Sequence, residues 1–262
     1  MQKVIRKICN LIEHFSINRV NIIKTIYINF RLLPYSQAQK FPIIVYGSTK
    51  FSSLKGDIII DGDVKKGMLE INKSFIYAPN LNTIPSQLVI DGKWIIKGHI
   101  EIGNGTKILV NSGAFLSMEN NRISDMCNIV CYKQITISDG TRITHRCQVI
   151  DTNNHFIANL NNRTIPDCKR SIHIGKFVWV GNSTTISAGA ILPNNCIVTS
   201  NSLVNKNYGD IPNFSLLGGI PAKVISTGLR RVYNQSLEYK LINYYSKSNS
   251  EPYCYTDEPT FI

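Results

Sequence analysis

The chain has 262 residues, 43% of them hydrophobic and 18% charged, a composition that buries a sizeable core and excludes a disordered chain. Its 29 Lys+Arg against 17 Asp+Glu give a formal charge of +12, so its surface attracts anions such as phosphates, nucleotides or acidic lipid. No block of consecutive cations and no zinc-finger or RNA-binding sheet motif accompanies that charge, and nucleic acid is not expected as a partner.

Residues 1–33 place Ile5, Ile8, Ile12 and Phe15, then Ile22, Ile23, Ile26 and Phe30, at helical spacings. Between them stand Lys3, Arg6, Lys7, Arg19, Lys24 and Arg31. The pattern predicts one or two amphipathic helices broken near Ser16 to Asn18. Such a basic face can rest on an anionic membrane in weak contact; the favoured expectation is that it packs on the body of its own protein. Met1 to Leu11 lacks the apolar core of a secretory signal, and no window reaches the ~18 apolar residues of a membrane-spanning helix. A soluble, cytoplasmic protein is expected, with at most peripheral contact at the inner face of the membrane. Leu33-Pro34 should end the helical segment, set at 1–40, because proline cannot continue it.

From Phe41 the text becomes β-type, with Ile43-Ile44-Val45-Tyr46-Gly47 and then Gly56 to Asp63, strands divided by Gly and Asp turns. Ile90, Ile96, Ile102, Ile108 and Ala114 recur every six residues, with Thr106 and Ser112 at small positions. After Ala114 the phase slips: Ile123, Ile129 and Ile135 form one register, Ile137, Ile143 and Val149 another. Loops or imperfect turns are expected at the slips. The clearest run is Ile174, Val180, Ile186, Leu192, Val198 and Val204, with Val178, Thr184, Ala190, Cys196 and Ser202 at the fourth positions.

A period of six fits neither a helix nor a lone strand and implies a short strand plus a turn, repeated. Three such hexads make one triangular coil, so residues 41–227 are expected to form a mainly β solenoid. An apolar column fills its interior, which leaves function to the outer edges. The seven cysteines are odd in number and scattered, with Cys147 and Cys196 on small positions and no CxxC pair. They read as reduced, buried thiols. His99, His145 and His173 are not spaced as a three-histidine zinc site, and no metal is expected.

Residues 156–171 interrupt the repeat with FIANLNNRTIPDCKRS, a polar excursion of the kind that carries binding chemistry in repeat folds. Asp151-Thr152-Asn153-Asn154-His155 leads into it. An imidazole takes up a proton near neutral pH, although a loop histidine taken alone is more often a surface residue than a base. Asp151 is either an orienting partner for that ring, a holder of substrate or a turn-forming residue at a coil corner. Asn153, Asn154 and Arg163 are candidate substrate contacts. Past Val204, Gly218-Gly219 and Pro221 break the repeats, and a final strand should close the core. Residues 228–250 are expected as a terminal helix within a C-terminal segment, 228–262, whose end is loosely held.

The hexad run, DTNNH, the excursion with Arg163 and Pro166, Ile174-Gly175 before Val178-Trp179-Val180-Gly181, and Gly219-Ile220-Pro221-Ala222-Lys223-Val224-Ile225 occur together in one order. In this the chain resembles the left-handed parallel β-helix acyltransferases, above all the maltose, galactoside and nodulation O-acetyltransferases and those of bacterial surface-polysaccharide clusters. The match is sharp from about Ile137 to Ile225. The phrase Lys24 to Pro34 also resembles leaders of some polysaccharide-cluster members.

The resemblance implies an acetyl-coenzyme A-dependent O-acetyltransferase acting on a sugar hydroxyl, with His155 as general base and Asp151 beside it. Trp179 would flank the acyl site, touching both acceptor and cofactor arm. Gly181, Asn182, Ala188 and Gly189 would line the cofactor groove, and Lys223 would meet a phosphate. A homotrimer with sites shared between subunits is the implied assembly. Transfer to the amino group of a nucleotide-linked sugar and a non-catalytic β-helix scaffold are the alternatives.

Overall fold

The computed structural model of the protein describes residues 19–75, 84–247, 251–255 and 261. The first half of the expected helical segment, Ile5 to Phe15, lies outside the described residues. Two helices open the described chain, α1 (Ile22–Leu32) and α2 (Tyr35–Ala38), with the break at Leu33 and Pro34.

The chain then winds in coils of three strands. These are β1 (Ile43–Val45), β2 (Thr49–Leu54) and β3 (Asp57–Ile60), then β4 (Leu69–Lys73), β5 (Ser86–Ile90) and β6 (Lys93–Ile96). Next come β7 (Ile100–Gly103), β8 (Lys107–Val110) and β9 (Phe115–Met118), followed by β10 (Arg122–Ile123), β11 (Asn128–Cys131) and β12 (Gln134–Ile137). The later coils are β13 (Arg142–Ile143), β14 (Gln148–Ile150) and β15 (Ile172–Ile174), then β16 (Trp179–Val180), β17 (Thr185–Ser187) and β18 (Ile191–Leu192). β19 (Ile197–Val198), β20 (Leu203–Val204), β21 (Leu216–Gly218) and β22 (Lys223–Ser226) finish it. From β1 to β21 each strand pairs in parallel with its counterparts one coil below and above, giving three sheets that run along the solenoid. The first begins with β1, the second with β2 and the third with β3, so the expected three-sided parallel β-helix is the architecture observed.

The six-residue phase is the core column: Ile174, Val180, Ile186, Leu192, Val198 and Val204 are each 1% exposed or less. Each buried aliphatic contributes about 1.5–3 kcal/mol. The phase slip is not a loop. Ile135 and Ile137 are both buried because β12 has four residues and turns two of them inward. Strands of this kind build the early coils, which step 21 residues from Ile102 to Ile123. The two-residue strands β16 and β19 turn one residue inward and step 18, from Val180 to Val198. The wider coils also hold Trp94, fully buried in the third sheet. Cys127, Cys131, Cys147 and Cys196 are buried and free; burial pushes the Cys131 thiol up to about 12 and that of Cys196 to about 11.

The first sheet would leave β1 as a free edge, a template for unwanted pairing. α1 covers it. The Asn29 amide donates to Ile43 O at 2.7 Å and accepts from Ile43 N at 3.1 Å, while Val45 N donates to Thr25 Oγ1 at 3.0 Å. The buried face of α1 is therefore Thr25, Ile28, Asn29 and Leu32. Ile22, Ile23, Ile26 and Phe30, the residues expected to pack on the body, are exposed, because a bare strand edge needs hydrogen-bonding side chains more than it needs aliphatics.

The other end differs from expectation as well. Leu217 closes the core, while β22 runs antiparallel to β21 with all four residues exposed, covering an edge rather than filling the interior. Tyr208, 4% exposed, donates its hydroxyl to Ala222 O at 2.8 Å. Helix α3 (Gln235–Tyr245), shorter than the 228–250 expected, is capped by Asn234, which accepts from Leu237 N, and buries no side chain. β2 escaped the sequence pattern because Thr-Lys-Phe-Ser-Ser-Leu is polar and bulged between Phe51 and Ser53.

Candidate active site

The long excursion leaves the coil between β14 and β15, at the corner joining the second and third sheets. Its root is fixed by Asp151, fully buried. That carboxylate accepts from Tyr132 N at 2.7 Å, Lys133 N at 2.8 Å and Gln134 N at 2.9 Å, so it satisfies the corner of the coil below. It is a corner residue and is not hydrogen-bonded to His155. Both strands of the root are zipped together: Arg170 N donates to Asp151 O at 2.9 Å and Asn153 N to Cys168 O at 3.1 Å. Gly189 stacks above, its N–H donating to Arg170 O at 3.1 Å.

The asparagines of the excursion build turns. Asn159 and Thr164 exchange two backbone hydrogen bonds, and Asn159 Oδ1 accepts from Asn161 N and Asn162 N. Asn162 Oδ1 in turn accepts from Thr164. Arg163 sits in that turn with φ of 55°, and Asn154 lies at φ of 57° just before His155, conformations that asparagine tolerates better than most residues and arginine less well.

Beneath this hairpin lies an open pocket of about 590 Å³. Asn153, His155, Asn159, Cys168 and Arg170 supply its polar lining, Ile157, Leu160 and Pro166 its apolar one. His155 is exposed, and among the described residues no protein group hydrogen-bonds its ring. Asp167 stands at the rim, its carboxyl held below the ordinary range by the Lys169 N–H, with Lys133 at 3.5 Å. Phe156, Ile157, Leu160 and Ile165 are exposed on the same loop, Leu160 by 86%, an apolar patch that a single copy leaves uncovered.

Other predicted residues stand elsewhere. Trp179 lies on the first sheet, which faces away from the corner of the other two, so one copy does not bring it to His155. It projects outward between Arg142 and Ile197 of the neighbouring coils, and the Arg231 guanidinium lies 5.4 Å from its ring centre. Gly181 and Asn182 turn the corner between the first and second sheets, where Asn182 O accepts from Asn201 N. A Cβ on Gly181 would come within 2.5 Å of Ser200 N, so coil stacking alone demands glycine there. Ala188 is buried, and Gly189 has φ of 86°; both belong to the His155 corner. Lys223 is exposed at the start of β22, near the end of the column that holds Gly181 and Asn182. Within one copy the predicted cofactor residues thus occupy two corners.

His99 belongs to a charged cluster that no local motif marks. On the first sheet Glu70 meets His99 Nε2 at 2.9 Å, Lys73 at 2.6 Å and Tyr46 at 2.5 Å. Lys73 also reaches Glu101 at 2.7 Å, and Arg122 reaches Glu101 at 2.6 Å. Among the described residues Glu70, His99 and Glu101 form the one group whose donor atoms lie close enough for a metal ion, but the ammonium of Lys73 already bridges both carboxylates. Burial works against the charge on Glu70, yet hydrogen bonds from His99, Lys73 and Tyr46 outweigh it and hold the carboxyl at about 2. The register pairs Glu70 with Glu101 and Glu101 with Arg122 across successive coils. Residues 28 or 21 apart make no local motif.

No family model matches the sequence. Over 121 residues the chain is 28% identical to WbbJ of Escherichia coli K12, ascribed to lipopolysaccharide biosynthesis as an O-acetyl transferase, covering 43% of this chain and 60% of that protein. It is 24% identical to the polysialic acid O-acetyltransferase of Escherichia coli O1:K1 over 134 residues, 51% of this chain and 41% of the relative. The chain thus spans about two fifths to three fifths of the length of these relatives. Among solved structures, the polysialic acid O-acetyltransferase OatWY aligns with 78% of this chain and 85% of its own, at 19% identity and a TM-score of 0.45. Both sequence relatives are O-acetyltransferases by description.

Proposed function

We propose that the protein is an acetyl-coenzyme A-dependent O-acetyltransferase acting on a sugar hydroxyl of a bacterial surface-polysaccharide precursor. The observation that carries this reading is His155, an exposed imidazole with no hydrogen-bond partner among the described residues, at an open pocket under a dedicated hairpin. The descriptions of the sequence relatives support it.

In the proposed reaction a hydroxyl of the acceptor lies against His155, which removes its proton as the oxygen attacks the thioester carbon. The tetrahedral intermediate collapses with release of the coenzyme A thiolate, which takes up the proton from the imidazolium. The developing oxyanion needs a donor aimed at it, and corner backbone N–H groups are of the right kind. Asn153 and Arg170 would hold acceptor hydroxyls or its acidic groups, with Arg163 at the hairpin tip. Asp151 keeps the root rigid. Asn182, Gly189 and the Lys223 cation would contact the cofactor arm and a phosphate. Acetyl-coenzyme A as donor places the reaction in the cytoplasm.

The assembly belongs to the same proposal. Because Trp179 and His155 point away from each other within one copy, a site containing both needs two copies. The uncovered Phe156, Ile157, Leu160 and Ile165 supply the apolar contact such packing requires. A homotrimer provides three equivalent sites. The test is release of free coenzyme A from acetyl-coenzyme A with a panel of sugars and nucleotide-sugars, for the parent and His155→Ala; equal turnover of one acceptor by both proteins overturns the assignment of the base.

A further inference from the structure

We infer that α1 docks the protein on an anionic lipid bilayer, lying in the interface with Ile22, Ile23, Ile26, Tyr27 and Phe30 toward the lipid. α1 is packed on one side and apolar on the other. Thr25, Ile28, Asn29 and Leu32 face β1. At 100° per residue, Ile22, Ile26, Phe30, Ile23 and Tyr27 sweep the arc opposite to that buried face. All five are exposed, Ile23 by 81% and Ile22 by 67%. Tyr35, 72% exposed, extends the patch through its contact with Phe30 at 5.9 Å between ring centres. A helix buried on one side has no internal reason for isoleucines on the other, and isolated surface aliphatics do not come as a contiguous stripe.

Charge selects the occupant. From Arg19 to Gly56 the sequence holds Arg19, Lys24, Arg31, Lys40, Lys50 and Lys55 and not one Asp or Glu. Four of these cations, Lys24, Arg31, Lys50 and Lys55, line a groove of about 650 Å³ beside α1, with Tyr27 and Phe51 between them. Lys24 is held in place by Thr49 O at 2.5 Å and lies 6.0 Å from the Phe51 ring centre. An apolar stripe bordered by cations on a short helix matches a bilayer surface bearing phosphate headgroups. The eleven residues of α1 rise only about 16 Å, half a hydrocarbon core of about 30 Å. The helix therefore lies on the membrane, and among the described residues no helix is long and apolar enough to cross one.

The experiment is cosedimentation of the full chain with vesicles of phosphatidylethanolamine and phosphatidylglycerol, against vesicles of phosphatidylcholine alone. The parent should bind the anionic vesicles, be released by salt and leave the neutral ones largely unbound. The exposed pair Ile23→Asp/Ile26→Asp should lower the partition coefficient at least ~20-fold, and Arg31→Glu/Lys50→Glu by at least ~20-fold, about five-fold for each cation removed. Both variants should keep the parent circular dichroism and melting temperature, since none of the four side chains is buried. Absence of parent binding, equal binding to both vesicle types, or parent-like binding of the Ile23/Ile26 variant overturns the inference. So does an Ile23/Ile26 variant whose mass by light scattering falls while no vesicle binding is seen, which assigns the stripe to a second copy. The readout involves no turnover and stands or falls apart from the acyl-transfer proposal.

Discussion

Two histidines decorate the same solenoid, on different coils, and live in opposite circumstances. His99 belongs to a closed network in which Glu70, Glu101, Lys73, Arg122 and Tyr46 satisfy one another. His155 stands at the foot of a hairpin whose Asn159 and Asn162 side chains build its turns, and among the described residues no protein group hydrogen-bonds its ring. A balanced network resists change and contributes to the fold, whereas an unpartnered imidazole beside a cavity is available to a ligand. Partnering, rather than residue type, separates the structural cluster from the candidate site.

The largest effect expected is at the His155 site, where the first question is whether it needs two copies. His155→Ala and Trp179→Ala should each reduce acetyl transfer by at least ~10²-fold. Unfolding them together and refolding the mixture should restore a fraction of parent activity, measured as coenzyme A release, if the two residues meet across an interface. Light scattering of the parent should give three times the chain mass. Next in size is Asp151→Ala, which strands three backbone N–H groups and should cost on the order of 3 kcal/mol, read from urea unfolding. Activity should fall with it because the hairpin loses its anchor.

The network predicts an acid signature. The folded Glu70 carboxyl is depressed to about 2, so its stabilisation is fully present above the unfolded value near 4.5 and is lost as pH falls toward 2. Glu70→Gln should lower stability at pH 7 by on the order of 2 kcal/mol and flatten the melting temperature across that acid window. A parent-like acid slope in the variant would remove Glu70 from the account. Smallest is Arg163→Ala at the hairpin tip, expected to raise KM for an anionic acceptor about two- to five-fold with kcat nearly unchanged.

The coil was legible in the sequence because one inward residue per short strand and three strands per turn leave a six-residue rhythm in the one-dimensional text. The rhythm stumbled where β12 turns both Ile135 and Ile137 inward, a matter of strand length that spacing records only as a slip. α1 was legible as a helix, but its orientation was not: hydrophobicity marked Ile22, Ile23, Ile26 and Phe30 for burial, while the edge of β1 selected Thr25 and Asn29. The His155 corner stood out as an interruption of the repeat. The use of Asp151 on the amides of 132–134 and the splitting of Gly181, Asn182 and Lys223 from Gly189 follow from coil stacking, which no local motif encodes. Glu70, Glu101 and Arg122 meet because register stacks them, one per coil.

Parallel substitution of the two histidines separates a catalytic ring from a structural one. Coenzyme A release with an accepted sugar should fall at least ~10²-fold in His155→Ala and stay within about three-fold of the parent in His99→Ala, whose melting temperature should drop instead. A His155→Ala protein as fast as the parent, or a loss of turnover confined to His99→Ala, would contradict the account.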